Sequence, residues 1–139
     1  MDILSLPFNA HVSITRSARE GYLLELDSQP RHDNHLGTIH AAALFALAEA
    51  TSGEFLLQSR GDRSDGGGVV RRSSAKYSRA ATGVISSKVT TLPDVIASAI
   101  STVDSRGKAL VEIDVALVDQ DDHLIGTVGF TWLLARETT

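Results

Sequence analysis

Residues 39–58 read IHAAALFALAEATSGEFLLQ, the strongest helix signal in the chain. The run is rich in Ala and Leu, contains no Pro and is longer than a strand should be. Ala41, Ala42, Ala43, Leu44, Phe45, Ala46, Leu47, Ala48 and Ala50 leave its first three turns without a polar face. A helix that is apolar all round is a buried one, so this segment is expected at the centre of the domain with a sheet wrapped around it. Its small side chains let other backbone approach closely.

Glu49 interrupts that apolar rod. Glutamate is seldom buried without a partner, and a carboxylate taken out of water either neutralises or finds one. Two readings follow. Either Glu49 lies where the helix emerges into solvent, beside Thr51, Ser52 and Glu54, or it is held in a dry cleft as general base or nucleophile. The stretch Asn34-His35-Leu36-Gly37-Thr38-Ile39-His40 is a polar loop that runs straight into the helix. The first N–H groups of a helix are unpaired and carry partial positive charge. At Ala41 and Ala42 they are expected to hold a developing oxyanion. Glu49 follows Ala41 by eight residues, about 12 Å along the axis at the standard rise. A single site built from both needs two chains, so it is expected at a dimer interface.

Farther out, residues 11–14 and 22–27 read as strands, the second with Tyr22, Leu24 and Leu26 on one face. Residues 17–21 read as a turn and 30–37 as a loop. A polar, Gly-rich loop, SRGDRSDGGG over 59–68, separates the helix from two strands at 69–79 and 83–91. Leu92-Pro93-Asp94 is a helix-start signal, which predicts a short helix over 94–103. Residues 105–107 form a turn. Then 109–118 alternates, with Ala109, Val111, Ile113, Val115 and Leu117 facing one way. A turn at 120–123 leads to the last strand, 124–135, with Phe130 and Trp132 in the core. One long helix followed by mostly adjacent strands is an α+β order with an antiparallel sheet, not alternating βαβ.

The 139 residues fit a single domain spanning 1–139. A chain of this size buries roughly two thirds of its unfolded surface and needs no metal or disulfide to fold. It has no cysteine, which removes disulfides, zinc knuckles and thiol catalysis. With 13 basic against 17 acidic residues the formal net charge is −4, which argues against a nucleic-acid partner. No apolar run is long enough for a transmembrane helix, so no membrane partner is expected. The opening MDILSLPFNAH lacks a basic and then apolar leader, so the expected location is cytoplasmic.

The pattern Asn34-x-x-Gly37-x-x-His40-Ala41-Ala42 followed by Glu49 and Gly53 resembles the helix signature of hotdog-fold acyl-CoA thioesterases. The nearest branch in style is the phenylacetic-acid-type enzymes and their relatives of unknown function. Gly107-Lys108-Ala109 opening a strand, an acidic turn, and Gly129-Phe130-Thr131-Trp132 fit the end of such a domain. The resemblance covers about residues 10 to 135. It implies a curved antiparallel sheet around one long helix, assembled as a homodimer or a dimer of dimers, with sites between subunits. It implies acyl-CoA thioester hydrolysis with no cofactor, coenzyme A being part of the substrate. Glu49 matches the catalytic acid, Asn34 the residue that orients water or substrate, and His40 the motif histidine. Ala41 and Ala42 match a glycine pair whose N–H polarises the carbonyl. Gly37 belongs to the same motif, and Ser52 and Gly53 fall where some members hold the acid or water. Two departures stand out: Ala41-Ala42 replaces the glycines, and the acid is Glu where Asp is common in this branch. An N–H donor survives Gly→Ala.

Arg71, Arg72, Lys76 and Arg79 form a local basic cluster in an acidic chain. Strand alternation puts Arg71 and Arg79 on one face, Arg72 and Lys76 on the other. They are either a solvated, protected edge or partners for the phosphates of coenzyme A. His32, His35 and His40 fit no standard metal spacing, and no metal site is expected. Gly66-Gly67-Gly68 is not followed by Lys-Ser/Thr and is read as a turn, not a phosphate loop. No Gly-x-Ser-x-Gly elbow is present. The alternative function is a non-catalytic hotdog protein that binds an acyl-CoA or another hydrophobic small molecule. A hotdog dehydratase ranks behind both, because His40 is the only histidine at the helix.

Overall fold

The computed structural model describes residues 1–61 and 67–136; part of the Gly-rich loop, including Gly66, lies outside the described residues. A curved six-stranded antiparallel sheet wraps one long helix, the α+β hotdog arrangement. The elements in chain order are α1 (Pro7–Val12), β1 (Thr15–Arg16), β2 (Leu24–Asp27), α2 (Ala41–Arg60), β3 (Gly68–Tyr77), β4 (Val84–Val89), α3 (Pro93–Arg106), β5 (Lys108–Val118) and β6 (Leu124–Ala135). The spatial order is β1-β2-β4-β5-β6-β3. Strands β4, β5 and β6 are neighbours in sequence and space, as expected. Strand β3 is the exception: the chain leaves α2, crosses to the far edge and pairs only with β6.

The inward faces of the strands supply the core. Leu24 and Leu26, Ile85, the alternating Val111, Ile113, Val115 and Leu117, and then Ile125, Val128, Phe130, Trp132 and Leu134 are buried against α2. The helix is fixed to the sheet by hydroxyls as well as by apolar contact. Thr51 Oγ1 donates to Leu47 O and meets Ser87 Oγ on β4, and Ser87 Oγ donates to Leu24 O on β2. Both hydroxyl side chains are fully buried, so each needs a partner, and each has one.

Three expectations are corrected. Residues 11–14 do not form a strand: Pro7 opens a short helix that runs to Val12, and Ser13 closes it in the left-handed region at φ 66°. Proline at the first helical position has its φ already set, and Asn9, buried, donates from Nδ2 to Ile3 O at 2.9 Å, which ties the helix down. Helix α3 is longer than the predicted 94–103. The turn signal at 105–107 is its C-cap, with Gly107 at φ +86° accepting the left-handed position. Finally, α2 is not buried all round. Ala41 and Ala42 are exposed, and Ala43, Phe45 and Glu49 are half-buried. Positions 41, 45 and 49 are one helical face, and the sheet leaves that face open.

Candidate active site

The open face of α2 forms one side of a groove of about 810 Å³, with the beginning and end of β3 opposite and Trp132 beneath. Ala41, Ala42, Phe45, Ala46 and Glu49 line it from the helix, and Gly68, Val69, Val70 and Tyr77 from β3. Phe45 is held by an edge-to-face contact with the core ring of Phe130, centroids 5.4 Å apart at 62°. Among the described residues Glu49 is the one acidic or basic side chain on this lining. Its carboxylate makes no hydrogen bond or ion pair among the described residues, and desolvation raises its pKa above the ordinary value near 4.5. Glu54, one and a half turns on, behaves differently. It is more deeply buried, yet it accepts from Arg16 at 2.8 Å and from Gln58 at 3.0 Å. The helix thus carries a paired carboxylate with a structural role and an unpaired one facing an apolar groove.

At the far end of the same groove the helix start is more occupied than the sequence suggests. His40 is the N-cap, and its Nδ1 accepts the Ala42 N–H at 3.0 Å. That N–H is therefore not open to a ligand. The Ala41 N–H makes no hydrogen bond among the described residues and is the donor left free. Tyr77 Oη donates to Ala41 O at 3.3 Å, and burial raises the phenol's pKa, so it stays protonated. Glu49 and Ala41 thus share one face and one groove, two helical turns apart.

Asn34 organises its own loop. Its Oδ1 accepts from the Leu36 and Thr38 N–H groups, and its Nδ2 donates to Thr38 Oγ1 at 2.9 Å. Gly37 sits at φ +75°, which a glycine takes without strain and which closes this turn before the helix. Ser52 and Gly53 are buried and do not line the groove. Ser52 Oγ donates to Glu49 O and accepts from the Trp132 indole at 3.0 Å, so it locks the groove floor to the helix. Gly53 passes close to Ile3 and Trp132, where an added Cβ would lie 3.2 Å from Ile3 Cδ1. Ser52→Ala leaves the buried indole N–H without its partner. We expect a stability loss of about 1–3 kcal/mol in urea unfolding, with the floor of the groove loosened.

The basic cluster divides differently from simple alternation. A β-bulge between Val70 and Arg72 leaves Arg71 out of register. Arg71 and Arg72 then both line a groove on the outer face of the sheet, beside Lys108 and Leu110, instead of lying on opposite faces. Lys76 pairs with Thr127 farther along β3, and Arg79 lies beyond the strand's end. Arg71 and Arg79 are eight residues apart, about 26 Å at strand spacing, so the four cations cannot all meet one pyrophosphate.

The histidines have separate tasks. His32 Nδ1 accepts from Gln29 N–H and its Nε2 donates to Val12 O, while His40 caps the helix. A grouping the sequence reading missed is Asp119, Asp121 and His123 in the β5–β6 turn, whose ligand atoms lie within 4.8 Å. Asp119 already accepts there from the Asp121 and His123 N–H groups, and its other oxygen lies 3.2 Å from His123 Nδ1. Also missed were the groove walls Phe8, Tyr77, Val69 and Val70. Phe45, expected in the buried rod, belongs to the groove as well, and its spacing of four from both Ala41 and Glu49 is the signal that could have shown it. The others come from distant segments, and no local spacing announces them.

Comparison with known proteins places this geometry. The family model described as "Domain of unknown function (DUF4442)" matches residues 7–134. No curated protein matches the sequence. Among solved structures, a Pseudomonas aeruginosa protein of unknown function, described as a probable thioesterase, superposes with a TM-score of 0.82 at 22% identity, covering 97% of this chain and 91% of that one. A hypothetical thioesterase protein from Streptococcus pneumoniae, solved with coenzyme A, gives 0.59 at 18% identity over 88% and 85% of the two chains. AziG of S. sahachiroi gives 0.72 at 16% identity over 94% and 98%. At these identities the structures share the fold. The match along nearly the whole sequence is to the family itself, and the chain belongs to the family known as domain of unknown function DUF4442.

Proposed function

We propose that this protein hydrolyses acyl-CoA thioesters, with Glu49 as the acid. The observation that carries the reading is an unpaired carboxylate, its pKa raised by desolvation, on the wall of an apolar groove. Ionised Glu49 takes a proton from water, and the water oxygen bonds to the thioester carbonyl carbon. The carbonyl electrons move onto oxygen and return as the C–S bond breaks. The coenzyme A sulfur leaves with the proton. The alternative use of the same carboxylate is direct attack to form an anhydride, which water then cleaves. The Ala41 N–H is the donor for the oxyanion. It lies too far along α2 to serve the same carbonyl as Glu49 of its own chain, so the reacting pair comes from two copies. The outer edge of β3, unpaired among the described residues and ten residues long, is where a second copy joins, as a homodimer or a dimer of dimers. To Lys76 and Arg79, near the Tyr77 end of that strand, we assign the phosphates of coenzyme A. The thioesterase descriptions of structural neighbours, one holding coenzyme A, support the substrate class. Among the described residues no helix is long and apolar enough to cross a membrane.

A second reading is favoured by one observation: His40 occupies the Ala42 N–H, which leaves a single backbone donor at the helix start. A protein with too weak an oxyanion site binds acyl-CoA without cleaving it. A panel of short, long and aryl acyl-CoA esters, with thiol release as the readout, separates the two. Release at any chain length well above the uncatalysed rate supports hydrolysis. Saturable binding with no release supports the second reading.

A further inference from the structure

The proposed site has a wall that no part of the reaction requires. Phe8 on α1 is 66% exposed, although it is the largest apolar side chain of that helix. Its ring does not hold the helix in place. That is done by buried Asn9 bonded to Ile3 O and by Val12 packed against the core. Phe8 instead borders two cavities. One is the groove that holds Glu49; the other is a smaller space of about 270 Å³ bounded by Val12, Ala43, His11 and Arg31. Phe8 and Ala42 are the only residues shared by the two linings. Ala42 has only a methyl group, so the phenyl ring is the larger side chain common to both.

We propose that Phe8 is the partition that sets the length of acyl chain this protein accepts. The inference rests on the acyl-CoA reading and deepens it. The occupant is a neutral alkyl chain whose end meets the Phe8 ring. The lining between Glu49 and that ring is apolar and offers no cation to an acyl group bearing its own carboxylate. Truncating the ring joins the two cavities and gives a longer chain somewhere to go, past Val12 and Ala43.

The test is isothermal titration of non-cleavable CoA thioethers carrying butyl, octyl and dodecyl chains into the wild type, Phe8→Ala and Phe8→Trp. Because the ring is exposed, both variants should fold, which melting curves verify. We expect Phe8→Ala to bind the dodecyl thioether at least about tenfold more tightly than wild type, the gain from burying roughly two further methylenes. Butyl binding should stay within about twofold, and Phe8→Trp should keep the wild-type preference. Wild-type binding with an unchanged chain preference in Phe8→Ala overturns the partition and leaves the acyl-CoA reading standing. A uniform loss at all three lengths also overturns it, because the ring is then a general contact. Failure of the wild type to bind any of the three overturns both.

Discussion

Glu49→Gln should lower thioester turnover by about a hundredfold or more, the range expected when a positioned proton acceptor is removed. The amide keeps the size and polarity of the side chain but cannot take a proton or attack a carbonyl. The oligomer and the affinity for a non-cleavable CoA thioether should be nearly unchanged, so the loss falls on kcat. Hydrolysis at the wild-type rate would remove Glu49 from the reaction. The pH profile adds an independent check. The carboxylate must be ionised to act, and desolvation raises its pKa above the ordinary value near 4.5. In the wild type kcat/KM should therefore climb with pH through a value displaced upward, and this limb should vanish in Glu49→Gln.

The same side chain has a stability signature of opposite sense. A folded-state pKa above the unfolded one means that the native state holds the proton more tightly. Its contribution to stability is complete below the unfolded value and is lost as pH rises through the raised one. Glu49→Gln should remove that decline. The carboxylate is a cost to the fold at neutral pH, which fits a group kept for chemistry.

Phe130→Ala should cost about 3–5 kcal/mol, because the ring is fully buried and its removal leaves a cavity that the sheet cannot close. The melting temperature should fall by about 10 °C or more for a domain of this size. The effect should also reach the groove. Phe45 rests edge-on against Phe130, and with that support gone its ring can turn inward. Weaker thioether binding should therefore accompany the loss of stability, while Phe130→Leu, which fills most of the space, should show less of both. Full binding in a destabilised Phe130→Ala protein would show that the groove does not depend on the core beneath it.

The parts of this molecule legible from sequence are those governed by short-range periodicity. The Ala-rich run specified α2, and the alternation from Val111 to Leu117 specified β5 together with its buried face. Glu49 drew attention because a charge in an apolar helix demands an explanation. What escaped was set by longer-range geometry. The crossover that sends β3 to the far edge shows in its own residues only as the basic cluster, of which a solvated, protected edge was one reading. The bulge at Arg71 defeats any count of odd and even positions. The N–H at Ala42 is unpaired in an abstract helix and paired in this one, because the N-cap two residues before it is a histidine whose ring folds back. The open stripe on α2 looked buried, since an alanine reads the same whether it meets a strand or a cavity.

The linked hydroxyls of Thr51 and Ser87 act as a dowel between rod and blanket. Sliding or rolling α2 by even one residue would break that link in a dry interior and leave each hydroxyl with only its local carbonyl, so the helix keeps one setting. Adaptation to guests of different shape is thereby left to the rims, namely the short leading helix and the outermost ribbon.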